Sequence, residues 1–147
     1  MSLINELRAK SANAEATKSE VVAEIKRAFS SYLDSDDFEN YLRRRAGKEE
    51  IQKRTLPINI QFWAYHSGCS TTYFNCGGYT WYNPENEEGY LSHSYKGVEL
   101  VTIQDEICSY ISNRLKSKMN ELGFYLVSTE DAKGRLNYYH TLFYFGW

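Results

Sequence analysis

At Pro57 the hydrophobic period of the chain changes from that of a helix to that of a strand, and this switch limits the fold more than any other feature. Upstream, Val21, Ile25, Ala28/Phe29 and Tyr32 recur at spacings of three and four. Downstream, Ile58, Ile60, Phe62 and Ala64 alternate with Asn59, Gln61, Trp63 and Tyr65. The first pattern lines one side of a helix and the second lines one side of a strand. Helical spacing then returns once, at Ile103, Ile107, Tyr110/Ile111, Leu115, Met119 and Leu122. Helices grouped ahead of strands, with one long amphipathic helix inserted late, point to an α+β chain rather than to repeated βαβ units. The expected fold has N-terminal helices, then an antiparallel sheet of about four to six strands packed against that long helix.

Local signals place the elements. Residues 2–13 carry Leu3, Ile4 and Leu7 on one side and read as a helix that frays or docks on something else. Thr17 and Glu20 have capping-box spacing, which predicts a separate helix start and a helix over about 18–33. Ser35 and Asp36 open another, with Phe38, Tyr41 and Leu42 on one face, Arg43–Arg45 at its negative end and Gly47 to stop it. Thr72–Cys76 and Tyr79–Tyr82 flank Gly77-Gly78 as a strand pair, and Tyr90–Tyr95 with Val98–Val101 suggest a short hairpin around Lys96-Gly97. Thr102 and Asp105 cap the long helix, which ends at Gly123. Phe124–Thr129 and Leu136–Phe145 then read as a closing hairpin.

Length makes this one domain: 147 residues suffice for a single core, with residues 1–55 as its helical part and 56–147 as sheet plus helix. A net charge of −2 and a pI near 5.9 argue against a protein whose main task is neutralising nucleic-acid phosphates, and equally against a highly acidic DNA mimic. Charge is local instead, with Asp34, Asp36, Asp37 and Glu39 ahead of the basic run Arg43, Arg44, Arg45, Lys48, Lys53 and Arg54. Three cysteines, and a start (MSLINELRAK) without an apolar signal core, point to a reducing compartment, the cytoplasm. Apolar runs such as Phe124–Val127 are far too short to span a membrane.

Chemistry-bearing motifs are sparse. His66, Cys69 and Cys76, with His93 or Cys108 as a fourth group, are the residue types of a tetrahedral zinc site. Only one His-x-x-Cys pair is present and no CxxC knuckle, so the expectation is that there is no metal and that the cysteines pack as small hydrophobes. Neither a GxSxG elbow, a P-loop, a GxGxxG turn nor an HExxH helix occurs. The chain is therefore read as a non-enzyme without a cofactor.

The aromatic share of 16% is high, with 13 tyrosines. Trp63, Tyr65, Tyr73, Tyr79, Trp81 and Tyr82 are interleaved with Asn, Ser, Thr and Gly, the mixture that contact surfaces use. Two readings stay open for these rings: a partner-binding face, or a second packed layer beneath the N-terminal helices. The first makes Trp63, Tyr65, Tyr79, Trp81 and Tyr82, together with Arg43, Arg44 and Arg45, the candidate site.

The small aromatic-rich α+β composition, the helix ending in Leu122-Gly123-Phe124 and the closing strand with Gly146-Trp147 together resemble the small accessory proteins of bacteriophages and prophages, among them the anti-CRISPR and other anti-defence inhibitors. What the resemblance implies is action by binding, in a bacterial host cell, on a protein or ribonucleoprotein effector such as a CRISPR nuclease. The alternative class is a nucleic-acid or nucleotide binder using exposed rings and the Arg43–Arg54 basic run.

Overall fold

The computed structural model describes residues 2–63, 74–77, 79–82, 94–131 and 138–147. Helices α1 (Leu3–Leu33), α2 (Asp36–Arg45) and α3 (Lys48–Lys53) come first. Strands β1 (Thr55–Trp63), β2 (Phe74–Cys76) and β3 (Tyr79–Tyr82) follow, then a two-stranded ribbon of β4 (Ser94–Tyr95) and β5 (Val98–Glu99). A 3-10 turn (Leu100–Ile103) leads into α4 (Gln104–Glu121), and β6 (Tyr125–Asp131) and β7 (Tyr138–Gly146) close the chain. The architecture is α+β. Among the described residues, no helix is long and apolar enough to cross a membrane.

The main sheet is antiparallel with strand order β3-β2-β1-β7-β6. Its spine is the unbroken pairing of β1 with β7, from Thr55 opposite Gly146 to Trp63 opposite Tyr138. Leu56, Ile58 and Ile60 therefore share a face with Phe145, Phe143 and Thr141, and all six are buried. Against that face α1 contributes Val21, Ile25 and Phe29, α2 Phe38 and Leu42, and α4 Ile107, Ile111, Leu115 and Met119. One sheet face covered by helices is the arrangement the alternation in β1 requires, since a strand with one apolar side buries only that side.

Three local expectations differ from the structure. The two N-terminal helices are a single 31-residue helix, capped by Ser2, whose hydroxyl accepts from the Asn5 N–H at 3.2 Å. Thr17 caps nothing; its hydroxyl donates to the Asn13 carbonyl one turn back, at 2.9 Å. Ala12, Ala14 and Ala16 precede it, and these strong helix formers carry the helix through a position where a cap would need non-helical backbone. At the start of α4, Thr102 donates to the Glu99 carbonyl at 2.7 Å within the 3-10 turn, so the helix begins without the expected side-chain cap. The short helix α3 occupies a stretch with no strong apolar period, and none of its residues is buried.

Candidate partner-binding surface

The ring cluster expected to form a contact face divides. Trp81 is buried, only 8% exposed, with its indole edge-on to Phe29 of α1 at 4.9 Å and to Phe74 of β2 at 5.0 Å. It is a core residue, which corrects its assignment to the partner face. The physical reason is the register: Tyr79 pairs with buried Cys76, so alternation along β3 puts Tyr79 and Trp81 on the inner face, and the bulge between the Asn75/Thr80 and Phe74/Tyr82 pairs, where β3 carries one residue more than β2, brings Tyr82 to that face as well. The second-layer reading holds for this ring. Tyr79 lies stacked on Tyr32 at 5.0 Å, donates its hydroxyl to Asp37 at 3.2 Å, and keeps 42% of its surface exposed. Tyr82 is half-buried, edge-on to Phe74 at 5.1 Å. Residue 63 pairs with residue 138 at the end of β1. Tyr65 and Tyr73 lie outside the described residues, as do His66, Cys69 and His93 of the zinc reading.

Arg43, Arg44 and Arg45 form the exposed last turn of α2. Arg43 donates to Glu39 at 3.2 Å and to Asn40 at 3.1 Å, Arg45 to Glu50 at 2.8 Å, and Lys53 of α3 to Glu49 at 2.6 Å. The basic run is thus laced with carboxylates, which lowers its field toward a phosphate backbone.

Cys76, the one zinc candidate of that loop that is described, is fully buried among the tyrosines of α1 and α2. Burial pushes its thiol up to about 12, so it stays protonated at neutral pH, the opposite of what a metal ligand or nucleophile needs. The adjoining Tyr32 hydroxyl is pushed up as well, first by burial and then by Cys76. Burial likewise raises the Cys108 thiol to about 12. Among the described residues, no group of three or more His, Cys, Asp or Glu side chains is placed to hold a metal ion.

A different surface emerges where α4 gives way to β6. Gly123, at φ +97°, takes the left-handed conformation after the helix, and the Phe124 N–H turns back to the Met119 carbonyl at 2.9 Å. This turn sets Phe124 edge-on to Trp147 at 5.8 Å. Together with Leu42 from α2, Ala46 just past its end, Leu56 from β1 and Leu122 they line an apolar cleft of about 370 Å³, to which Arg43 also contributes. From the cleft the chain runs on into β6, the edge strand, whose seven residues are all exposed. Tyr125, Leu126 and Val127 are large apolar side chains left in water there, beside Leu122 and Trp147. The Tyr125 ring lies on Gly146, where an added Cβ would come within 2.6 Å of it.

This surface escapes a reading by pattern because Leu122 continues the stripe of α4 and residues 124–129 scan as an ordinary strand with one face inside. The available signal is the apolar run Phe124, Tyr125, Leu126 and Val127, which lacks the polar alternation of a half-buried strand. The bulge between Leu126 and Ser128 leaves Val127 without a register partner on β7, and the charged half of the strand, Glu130 and Asp131, discourages indiscriminate edge pairing.

A second cleft, of about 350 Å³, separates the polar flank of α4 from β6 and β7. Ser112 and Lys116 line it from the helix and Asp131 and buried Thr141 from the sheet, with Thr141 donating to Asp131 at 2.9 Å. No protein-family model, curated protein or solved structure matches the chain.

Proposed function

We propose that the protein works by binding a macromolecule, without catalysing a reaction, and that it docks its partner on the apolar cleft at Phe124 and Trp147 and on the adjoining half of β6. One observation carries this reading: five large apolar side chains, Leu122, Tyr125, Leu126, Val127 and Trp147, stand exposed where α4 turns into β6 and the chain leaves β7, and two of them, Leu122 and Trp147, line the cleft. Apolar surface gathered this way marks contact sites, whereas scattered exposed residues do not. With Arg43 at the cleft, the fitting partner is a protein face that offers an aliphatic or aromatic anchor flanked by carboxylates.

The resemblance to phage anti-defence proteins names the partner class to test first, a bacterial protein or ribonucleoprotein effector such as a CRISPR nuclease, met in the host cytoplasm. Inhibition of reconstituted effectors is the direct test. The expected result is stoichiometric suppression by the parent chain, weakened by about tenfold or more in Val127→Lys and in Trp147→Ala, as hot-spot truncations do. Full inhibition by both variants removes the surface from the reading, and suppression at far below one molecule per effector points to catalysis instead. Binding that collapses steeply with added salt would favour the nucleic-acid alternative.

A further inference from the structure

Helix α1 is longer than the body it packs on. Residues 2–16 are exposed throughout, with Leu3 68%, Ile4 56% and Leu7 50% exposed, while Val21, Ile25 and Phe29 further along the same helix are fully buried. At 1.5 Å per residue the exposed part projects by about 22 Å. An isolated helix of this length is marginal in water, so a helix that stays formed here gains from a surface to pack on.

That face is ordered as a heptad seam. Ile4, Leu7, Ser11, Ala14, Lys18, Val21, Ile25 and Ala28 follow one another at alternating steps of three and four. The last three positions of the seam enter the core, and the first four continue the same face beyond it. Large residues at the tip and small ones at Ser11 and Ala14 make the face self-complementary for a helix running the other way, with the small residues permitting close approach at the crossing.

We infer that the projecting part of α1 pairs antiparallel with α1 of a second copy of this chain. Charge selects both direction and register. A parallel pair sets Lys18 against Lys18 in the seam. An antiparallel pair with Ile4 opposite Ala14 brings Arg8 against Arg8 and Lys10 against Lys10 at the flanks. Sliding by one heptad places Ser11 opposite Ala14 twice, Leu7 along the aliphatic stem of Lys18, and Ile4 opposite Val21 at the rim of the other body. In that register Arg8 of each copy faces Glu15 of the other. Within the chain neither Arg8 nor Glu15 takes part in an ion pair among the described residues. A two-fold pair of this kind is isologous and closes on itself. With only six seam layers, the outer two at the rims of the bodies, the contact is small, so the dimer is weak and concentration-dependent rather than obligate.

Sedimentation equilibrium of the full chain over a wide concentration range tests this. A monomer–dimer equilibrium is expected, weakened by about tenfold in Arg8→Glu and in Glu15→Arg and restored in the double variant Arg8→Glu/Glu15→Arg, because the swap regenerates the cross-copy pairs. These residues are exposed, so circular dichroism of each variant should match the parent. A chain that stays monomeric at every concentration, or a dimer that both single charge reversals leave unchanged, overturns the pairing. A monomer that binds anionic vesicles through Leu3, Ile4 and Leu7 overturns it as well and assigns the stripe to a lipid surface.

Discussion

Trp81 shows how far a single residue's role depends on its setting. In composition it belongs with contact rings, yet it fills the space between Phe29 and Phe74. Trp81→Ala should therefore cost roughly 3–5 kcal/mol of stability, as the truncation of large buried aromatics does, and a denaturant melt reads it directly. A loss below about 1 kcal/mol would return the ring to the surface class. Gly77 is the complementary case, a residue held by what it lacks. Its φ of +55° is left-handed, its N–H donates to the Asn59 carbonyl at 3.0 Å, and an added Cβ would lie 2.1 Å from the Tyr41 ring. Tyr41 is itself buried, so Gly77→Ala should destabilise by about 2 kcal/mol or more, combining overpacking with left-handed strain. Gly97, also left-handed at φ +79°, has nothing within 4 Å of its virtual Cβ, and Gly97→Ala should cost about 1 kcal/mol from backbone strain alone. Comparing the two melts separates the steric part from the conformational part.

At the scale of elements, α1 and α4 differ in how they depend on the fold. Along α4, Ile107, Ile111, Leu115 and Met119 are all fully buried, so Ile107→Ala and Leu115→Ala should each cost roughly 2–5 kcal/mol. Its polar neighbours Arg114 and Lys118 reach across to Asp34 at 3.3 and 3.1 Å, tying it to the end of α1. The Lys118 ammonium, and then Arg114, hold the Asp34 carboxyl below its ordinary range. A carboxyl lowered by folding contributes stability above its unfolded value that is lost as pH falls, and here the contribution is small because Asp34 is largely exposed. Helix α1 contributes to the core only from Val21 onward. Removing residues 2–14 should leave the stability of the body within about 0.5 kcal/mol of the parent, read from a denaturant melt, since no buried side chain is lost. The same truncation should abolish self-association. A large loss of stability would show that the projecting half supports the body after all.

Over the whole molecule, the buried thiols and tyrosines set an alkaline limit. Cys76 and Cys108 are raised from 9.0 to about 12, and Tyr41 from 10.0 to about 12, all chiefly by burial. In the unfolded chain these groups lose protons at pH 9 to 10, whereas in the native state they hold them. The unfolded state then binds fewer protons, so stability declines as pH rises. The contribution is complete below about pH 9 and is lost progressively toward pH 12. Urea midpoints should fall between pH 9 and 11, and Cys76→Val should flatten part of that fall. A midpoint constant up to pH 11 would contradict the burial of these groups. Consistent with this, the Cys76 thiol should react with a thiol reagent only at the rate of unfolding.

The periodicities at Val21–Tyr32, Ile58–Ile60 and Ile103–Leu122 carry the class of the fold, the long helix and the apolar side of β1, because side-chain direction along a helix or strand follows from local backbone geometry. Gly123 marked the end of α4 for the same local reason. What tertiary structure alone decided is which faces are covered. The pairing of Tyr79 with buried Cys76 set Trp81 on the inner face, the Ala-rich stretch around Asn13 fused two helices into one, and the place of β6 at the edge of the sheet left Tyr125, Leu126 and Val127 in water. Each outcome depends on strand order, register and chain ends meeting across long separations, and a pattern read along one segment holds no information about the neighbour that will, or will not, pack against it.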